Sequence, residues 1–279
     1  MTPRRSVAEK RASFRQLHAS GCFVLPNPWD VGSARLMQHL GFKAVASTSS
    51  GFAWTTGRPD YGVNRSDVLH HLSVMSSAID LPVNADFESG FAEDPEGLAE
   101  SVGLAVDTGV AGLSIEDRDI GADDKLYDLE IALERLHAAR MAIDRSRQDV
   151  ILVARTEGLL IDARAVKPAI HRLVAFAEAG ADCLYAPGVI DKDDIAAMVR
   201  AVAPKPLNVL MMRPGFSVSE LADLGVRRIS VGGALARVAL GATITAAEQM
   251  RAGSFDGLGA AMQGGPLNDI FREHEKDRR

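Results

Sequence analysis

The sequence predicts an α/β protein of the TIM (β/α)8 barrel class with extra helices at its C-terminal end. Eight short apolar runs alternate with stretches of helical periodicity over 279 residues, close to the usual barrel length of about 250 residues. The same junction recurs at Gly41, Gly109, Gly180 and Gly225, where a short link and an apolar run follow the glycine. Because glycine accepts the left-handed conformation that ends a helix, each junction predicts the passage from a helix to a strand.

Each predicted element has its own sequence signal. The clearest helix start is Asp94-Pro95-Glu96, with an acid as cap and proline in the first turn. The polar, glycine-containing segment 49–64 is predicted to be a loop. The predicted strands are 22–26, 43–48, 81–86, 111–116, 150–155, 182–186, 206–211 and 228–231. The predicted helices are 7–20, 31–40, 64–79, 95–109, 129–145, 165–178, 193–203, 219–224, 235–251 and 255–262.

The alternative architecture is a doubly wound sheet. It is disfavoured because no glycine-rich phosphate fingerprint follows the first strand. No linker or low-complexity segment divides the chain, so residues 1–279 are expected to form a single barrel domain.

Charge and composition exclude several classes of protein. The formal net charge is −6, with no long basic run, which argues against a nucleic-acid partner. No apolar stretch approaches the length of about 18 residues that a membrane helix needs, and the N-terminus lacks the apolar core of a signal peptide. The two cysteines, Cys22 and Cys183, lie in apolar runs without metal spacing and are expected to be buried thiols. We therefore expect a cytoplasmic protein.

Polar residues collect where the predicted strands end. The stretch from Pro82 to Phe91 starts as a buried strand and then places Asp86 and Glu88 two residues apart. Glu116 and Arg155 end the fourth and fifth strands. Because the active site of a TIM barrel lies at the C-terminal ends of its strands, we expect these side chains to meet at one mouth.

Two interpretations of this cluster remain open. Asp86, Glu88 and Glu116 form an oxygen-rich set that suits a hard cation such as Mg²⁺, with Mn²⁺ as the alternative ion. The same carboxylates are also consistent with a salt-bridge network around Arg118 or Arg155. Arg155 is predicted to clamp a substrate carboxylate through two parallel hydrogen bonds, or else to pair with a neighbouring glutamate.

Other residues of the mouth are predicted to contact substrate. Ser50 and Gly51 offer hydroxyl and backbone N–H donors to an anion, unless they form an ordinary turn. Asn208 lies on the seventh strand and is predicted to bind substrate. Gly232-Gly233 after the eighth strand is interpreted as close helix packing in preference to a phosphate site.

The chain resembles the isocitrate lyase and phosphoenolpyruvate mutase superfamily. The motifs that carry the resemblance span most of the barrel in order and at compatible spacing. They are Ser50-Gly51 with Gly57-Arg58-Pro59-Asp60, Asn84-Ala85-Asp86 with Gly90-Phe91, Ser114-Ile115-Glu116-Asp117, Val153-Ala154-Arg155-Thr156-Glu157 and Ala179-Gly180-Ala181-Asp182.

The resemblance implies a Mg²⁺ ion and a 2-oxo acid or its enolate at the barrel mouth, beside a C–C or P–C bond that is made or broken. By position, Asp60, Asp86 and Glu116 resemble the acids around the metal, and Arg155 the arginine that holds the substrate carboxylate. The segment Ser50-Gly51-Phe52 resembles the one that cups the oxo acid, and residues 117–128 the gating loop. It also implies a homotetramer, or a homodimer, in which the C-terminal helices, about 235–263, are exchanged between subunits.

Two departures from the family pattern bear on the chemistry. Asn84 stands where the family has the first acid of Asp-Ala-Asp, and a neutral amide oxygen is a weaker ligand for a hard cation. Either Glu88 compensates or metal affinity falls. The loop 118–125 contains neither Cys nor His, whereas the lyase branch carries a catalytic Cys there. Cleavage of isocitrate or methylisocitrate in the lyase manner is therefore not expected.

Taken together, the sequence predicts a Mg²⁺-dependent enzyme that acts on a small 2-oxo carboxylate or its phosphonate derivative through an enolate. Its predicted catalytic residues are Glu116, Arg155 and Glu88, and its predicted metal ligands are Asp60, Asp86, Glu116 and Asn84. An oxo-acid hydrolase or decarboxylase of the oxaloacetate type is an alternative activity for the same site. A non-catalytic protein that binds a 2-oxo acid is the alternative of another class.

Overall fold

Eight parallel strands form one sheet that curls into a nearly closed barrel, as predicted. The computed structural model describes residues 4–122 and 124–276, with side chains up to residue 272. Neighbouring strands follow the order β1-β8-β7-β6-β5-β4-β3-β2, which is the order of a (β/α)8 barrel. The strands are β1 Phe23–Leu25, β2 Val45–Ala46, β3 Val83–Asp86, β4 Gly112–Glu116, β5 Ile151–Arg155, β6 Cys183–Tyr185, β7 Leu207–Leu210 and β8 Arg228–Ser230.

The barrel is joined at its β1–β2 seam by few contacts. The backbone N–H of Ala46 donates to the carbonyl of Pro26 at 3.0 Å. Beyond it, the side-chain amide of Asn27 donates to the carbonyl of Ser47 at 2.8 Å. The Asn27 Oδ1 atom also accepts from the backbone N–H groups of Val231 and Gly232, both at 2.9 Å. One asparagine therefore connects the end of β1 to both neighbouring strands.

Helices separate the strands and cover the outside of the barrel. They are α1 Val7–Ala19, α2 Val31–His39, α3 Ser49–Thr55, α4 Arg65–Ala78, α5 Pro95–Asp107, α6 Leu129–Ser146, α7 Gly158–Ile161, α8 Val166–Glu178, α9 Lys192–Val202, α10 Val218–Asp223, α11 Ala234–Arg251 and α12 Gly264–Lys276. No helix of the described part of the chain is both long enough and apolar enough to span a bilayer.

Helix α1 closes the amino end of the barrel. Phe14 is fully buried against the inward-facing residues of the strands, including Leu25 and Ile151. Buried Lys10 donates to the carbonyl of Ile79 at 2.6 Å, and buried Arg11 donates to the carbonyl of Val110 at 2.9 Å. Both carbonyls belong to residues that follow a helix, Ile79 after α4 and Val110 after α5, and the two cations supply the hydrogen bonds that these buried groups need. Helix α1 is therefore fixed to the barrel by hydrogen bonds as well as by apolar contact.

Four elements differ from the sequence predictions. The short helix α7, Gly158–Ile161, lies in a stretch where no element was predicted. The segment predicted as a loop at 49–64 begins with helix α3, because the Thr48 hydroxyl accepts from the N–H of Gly51 and caps the helix. The predicted helix 255–262 is a short 3₁₀ helix, Asp256–Ala260. Helix α12 was missed, because its apolar positions are few and widely spaced. Of the two cysteines, both free thiols, Cys183 is fully buried and Cys22 is half-buried.

Candidate active site

The ends of β3, β4 and β5 bring three charged side chains together at the mouth of the barrel. Asp86, Glu116 and Arg155 are the last residues of these strands, and Glu116 lies directly opposite Arg155 in the parallel register. Glu157 follows two residues after Arg155. The C-terminal ends of the parallel strands lie at the same edge of the barrel, so the fold brings these charged side chains together.

Arg155 lies at the centre of this group and is paired with acids on three sides. Its Nη1 atom lies 3.2 Å from Asp86 Oδ1, and its Nε atom lies 3.4 Å from Glu116 Oε2. The Nε–H also donates to Glu157 Oε1. The structure therefore has the ion-pair arrangement that the sequence left as the alternative to a substrate clamp.

Burial and charge act in opposite directions on these groups. Burial alone lowers the pKa of Arg155, but Glu157, Glu116 and Asp86 raise that pKa above its ordinary value. Glu116 is almost completely buried, and this burial raises its pKa despite the nearby Arg155. Glu116 is therefore harder to deprotonate than an exposed glutamate.

Two further acids face the same mouth. Burial, with the charges of Asp86 and Asp60, raises the pKa of Glu88 to about 8. Burial and the charge of Asp86 likewise raise the pKa of Asp60. Glu88 also has a left-handed backbone, with φ of 49°, an arrangement that is uncommon for a residue other than glycine. We call Asp60, Asp86, Glu88, Glu116 and Glu157 the acidic rim.

Tyr61 links the loop after α3 to the acidic rim. Its hydroxyl donates to Glu116 Oε1 at 3.0 Å, and its backbone is left-handed with φ of 60°. The Arg118 guanidinium lies over its ring, 4.5 Å from the centroid. Tyr61 thus supplies a neutral donor to an acid that already faces Arg155.

Deeper in the barrel lies a group of a different kind, which we call the amide floor: Asn84, Asn208 and Arg228. Arg228 is the first residue of β8 and only 2% exposed. Its Nε atom donates to Asn208 Oδ1 at 3.0 Å, and its Nη1 atom donates to Asn84 Oδ1 at 3.2 Å. Asn208 Nδ2 in turn donates to Ser230 Oγ at 2.9 Å. Neutral amide oxygens, not carboxylates, therefore hold this guanidinium.

A cavity of about 60 Å³ connects the rim with the floor. Asp86 and Arg155 line it from above, and Asn84 and Arg228 line it from below. We call it the central cavity. Its remaining walls are mostly hydroxyl groups and backbone from the strand ends, contributed by Asn27, Ala46, Ser47, Thr48, Ser50, Ser114, Tyr185, Ser230, Gly232 and Gly233.

The structure distributes the predicted substrate-contacting residues unevenly. Ser50 lines the central cavity, whereas the N–H of Gly51 is used by the Thr48 cap. Phe52 stacks on His71, with ring centroids 3.9 Å apart. Asn208 is fully buried beside Arg228 and is not part of the cavity wall. Of these four, only Ser50 is placed to touch a ligand in the cavity.

The glycine pair after β8 packs closely, as interpreted from the sequence. A Cβ atom on Gly233 would lie 2.7 Å from Ser50 Oγ and 3.1 Å from the Trp54 ring. A larger residue would displace Ser50 from the cavity wall. The glycine is therefore required for the shape of the site.

The predicted gating loop, 117–128, is anchored at its first residue. Asp117 Oδ2 pairs with Arg172 at 3.1 Å, and Asp117 Oδ1 accepts from the N–H of Glu157 at 2.9 Å. Arg118 forms an isolated antiparallel bridge with Leu126. Asp123 lies outside the described residues.

Two residues of the site, Arg228 and Tyr61, were not predicted from the sequence. Arg228 had a signal, because a charged residue inside an apolar strand requires a buried partner or a function. Tyr61 had little signal, since it reaches Glu116 only through the path of the loop that follows α3. Neither contact is visible in local sequence spacing.

Comparison with known proteins gives consistent results. The sequence profile described as phosphoenolpyruvate phosphomutase matches residues 14–251. The chain is 31% identical over 247 residues to the oxaloacetate decarboxylase of Pseudomonas aeruginosa PAO1, covering 86% of this chain and 85% of that one.

Two solved structures are similar over nearly their whole length. A structure described as a lyase/mutase from Burkholderia cenocepacia J2315 has a TM-score of 0.92 and 45% identity, covering 95% of this chain and 97% of that one. That of 2,3-dimethylmalate lyase has a TM-score of 0.85 and 26% identity, covering 96% of each chain. The chain therefore belongs to the phosphoenolpyruvate phosphomutase family, within the isocitrate lyase and phosphoenolpyruvate mutase superfamily of lyases and mutases.

Proposed function

We propose that this protein is a Mg²⁺-dependent enzyme that cleaves or forms a C–C bond in a small 2-oxo carboxylate, or the P–C bond of a phosphonate derivative, through an enolate. The observation that carries the proposal is the acidic rim, which surrounds one arginine at the mouth of a polar cavity. A barrel mouth with titratable groups of raised pKa is a typical catalytic site.

The charges of the rim support the need for a divalent cation. Arg155 faces three acids within 4 Å, and two further acids, Asp60 and Glu88, lie nearby. An anionic substrate would be repelled by this excess of negative charge. A bound cation would remove the excess, and it would supply Lewis-acid stabilisation of an enolate oxygen.

The residues present fit a hydrated ion and do not fit a cage made only of protein ligands. Among the described residues, no cluster of three or more acidic, His or Cys side chains is arranged to enclose a metal. Mg²⁺ usually keeps several waters and takes one or two carboxylates, which Asp60, Asp86 and Glu88 can provide. Glu116 and Asn84 were also predicted as ligands, but their oxygens already accept from Tyr61 and Arg228.

Glu88 and Glu116 are suited to move protons. The pKa of Glu88, raised to about 8 by burial and by Asp86 and Asp60, allows its carboxyl group to give or take a proton near neutral pH. Burial favours the protonated form of Glu116, whose Oε1 atom is oriented by the Tyr61 hydroxyl. Arg155 holds both Asp86 and Glu116 in place and so positions the acids that act on the substrate.

Decarboxylation or hydrolysis of oxaloacetate is the second candidate for the same site. The gating loop contains neither Cys nor His, so the acid of the lyase branch is absent from it. The similarity to an oxaloacetate decarboxylase over 86% of this chain supports this alternative. Both candidates pass through an enolate and differ in the bond that breaks.

The test is turnover of a substrate panel with added Mg²⁺ or with chelator. The panel comprises oxaloacetate, 2,3-dimethylmalate, 2-methylisocitrate and phosphonopyruvate, with products followed by NMR. We expect Mg²⁺-dependent turnover of at least one acid, and a loss of roughly 10²- to 10⁴-fold in Glu116→Gln. Binding of these acids without any turnover would contradict the proposal and identify a non-catalytic 2-oxo acid binding protein.

We further propose that a second copy of the chain covers the C-terminal helices. Val238 and Ile244 of α11 are 70% and 58% exposed, and Phe255, just beyond α11, is 71% exposed. Large apolar side chains exposed together are typical of a subunit interface. Light scattering is expected to give a dimer or tetramer, and Phe255→Ser should shift it toward smaller species. A monomeric wild-type protein at micromolar concentration would contradict this proposal.

A further inference from the structure

The turn that carries Glu88 has an uncommon backbone. Between β3 and α5, Glu88, Gly90 and Phe91 all have left-handed conformations, with φ of 49°, 82° and 59°. Two of these residues are not glycine, and such residues keep this conformation only where their surroundings hold it. We call residues 87–91 the Glu88 turn. The direction in which the Glu88 carboxyl group points therefore depends on the contacts that hold this turn.

The inner side of the Glu88 turn is attached to the end of β4. The backbone N–H of Glu116 donates to the carbonyl of Glu88 at 3.0 Å. The Ser89 hydroxyl donates to the carbonyl of Arg118, just beyond β4, at 2.7 Å. These two hydrogen bonds place the turn beside the strand that contributes Glu116 to the acidic rim.

The outer side of the turn is held by Arg135 of helix α6. This side chain is only 1% exposed. Its Nη1 atom donates to the carbonyl of Glu93, and its Nη2 atom donates to the carbonyl of Ser89. The first carbonyl lies just beyond the turn and the second lies within it. Because a guanidinium is planar and rigid, Arg135 fixes these two backbone groups relative to each other.

Tyr127 supports the Arg135 guanidinium from another side. The guanidinium carbon lies 4.5 Å from the centroid of the Tyr127 ring, which is a cation–π contact. The backbone N–H of Tyr127 donates to the carbonyl of Asp117 at 2.9 Å, and its carbonyl accepts from Arg172 Nη2 at 2.8 Å. Since both backbone groups of Tyr127 are bonded, its ring offers a fixed face to the cation.

We propose that Arg135 is a positioning residue of the active site, which holds the Glu88 turn so that the Glu88 carboxyl group faces the acidic rim, and that the Tyr127 ring keeps Arg135 in place. This inference rests on the proposed function, because it takes Glu88 to move a proton of the substrate. Arg135 lies outside the walls of the central cavity. Its effect on the reaction must therefore pass through the turn.

Arg11 provides a matched control for Arg135. It is 3% exposed, and its guanidinium also donates to two backbone carbonyls, those of Val106 and Val110. It does so from α1, at the end of the barrel opposite to the mouth. Arg11→Met and Arg135→Met therefore remove the same kind of contact, and both are expected to lower stability. Only Arg135→Met is expected to change the active site.

The first experiment is amide hydrogen exchange of the full chain, followed by mass spectrometry of residues 86–93, without metal or substrate. In Arg135→Met and in Tyr127→Leu this segment should exchange roughly tenfold faster than in wild type. Arg11→Met and Tyr127→Phe, which retains the aromatic face, should match wild type in this segment. Unchanged exchange in Tyr127→Leu, or complete exchange of the segment at the first time point in wild type, would overturn the inference. Tyr127→Leu decides the question if Arg135→Met does not fold, as judged by circular dichroism.

The second experiment separates kcat from KM for the acid that the wild-type protein turns over, at saturating Mg²⁺. Arg135→Met and Tyr127→Leu should lower kcat roughly 10- to 100-fold and change KM less than about threefold, because they misplace an acid that acts in the chemical step. An unchanged kcat in both variants would overturn the positioning role. An equal loss of kcat in Arg11→Met would also overturn it, because the loss would then follow from lower stability.

The failure of this inference can be separated from the failure of the proposed function. A wild-type protein that turns over none of the acids in the panel would overturn the proposed function. The exchange measurement needs no substrate, so it would still decide whether Arg135 and Tyr127 hold the Glu88 turn. Turnover by wild type, with a normal kcat in Arg135→Met and Tyr127→Leu, would overturn the inference alone.

Discussion

The acidic rim and the amide floor differ in the partners that they offer to an arginine, which are carboxylates at the rim and neutral amides at the floor. Arg155 is surrounded by Asp86, Glu116 and Glu157, so its charge is more than neutralised within the protein. Arg228 is held by two asparagines, so its charge is oriented but not neutralised. The two guanidinium groups line the same cavity.

This difference indicates how each cation is held in the protein. A guanidinium paired with carboxylates must lose those partners, or gain another cation beside them, before an anion can bind it. A guanidinium paired with amides leaves no unpaired charge behind when it is removed. The rim therefore depends on its arginine for charge balance, whereas the floor does not.

The largest effect is expected from removing each arginine in turn. Arg155→Met leaves two buried acids, Glu116 and Glu157, and half-buried Asp86 without their cation, and it should lower the free energy of unfolding by about 3–5 kcal/mol. Arg228→Met leaves two amide oxygens without a donor and should cost only about 1–3 kcal/mol. Chemical denaturation of both variants measures the contrast. A larger loss of unfolding free energy for Arg228→Met than for Arg155→Met would contradict the difference described between the rim and the floor.

An intermediate effect is expected from the pH dependence of stability in protein kept free of metal by chelator. Burial, Asp86 and Asp60 raise the pKa of Glu88 to about 8 from its ordinary 4.5. Between these values the unfolded chain releases the proton that the folded protein retains. The free energy of unfolding should therefore fall as pH rises from about 4.5 to about 8, and level off above that.

Two variants and one ligand sharpen this measurement. Glu88→Gln should flatten the slope, whereas Glu134→Gln on the exposed face of α6 should leave it unchanged. Added Mg²⁺ should release a proton at pH 7, seen by calorimetry in buffers of different ionisation enthalpy. An unchanged slope in Glu88→Gln would show that the rim does not hold that proton.

The smallest effect is expected at the edge of the rim. Tyr61→Phe removes the hydroxyl that donates to Glu116 Oε1 at 3.0 Å. The loss of one such hydrogen bond should lower the free energy of unfolding by about 0.5–1.5 kcal/mol. A loss as large as that of Arg155→Met would make Tyr61 an integral part of the charge network, and the rim would then extend into the loop after α3.

The sequence predicted the fold and the rim well because both depend on local signals. Glycine junctions mark the ends of helices, and polar residues at strand ends mark the mouth, so Asp86, Glu116 and Arg155 were found together. The pairing of Arg155 was left open, because the sequence does not determine which acids approach the guanidinium.

The amide floor could not be predicted in this way. Arg228 and Asn84 are separated by 144 residues and meet only when the barrel closes. Asn84 was interpreted by comparison with an acid in the family pattern, without knowledge of the cation opposite it. Helix α3 was missed because its cap, Thr48, stands beside serines and glycine that are equally typical of a loop.

The β1–β2 seam has a consequence for motion. Asn27 joins β1 to β2 and β8 through one side chain, and the same residue lines the central cavity. Elsewhere around the sheet, a ladder of backbone hydrogen bonds resists opening. A fluctuation that parts the barrel should therefore start at Asn27 and widen the cavity at the same moment. Exchange of solvent in the central cavity and transient opening of the β1–β2 seam are then expected to occur together and at the same rate.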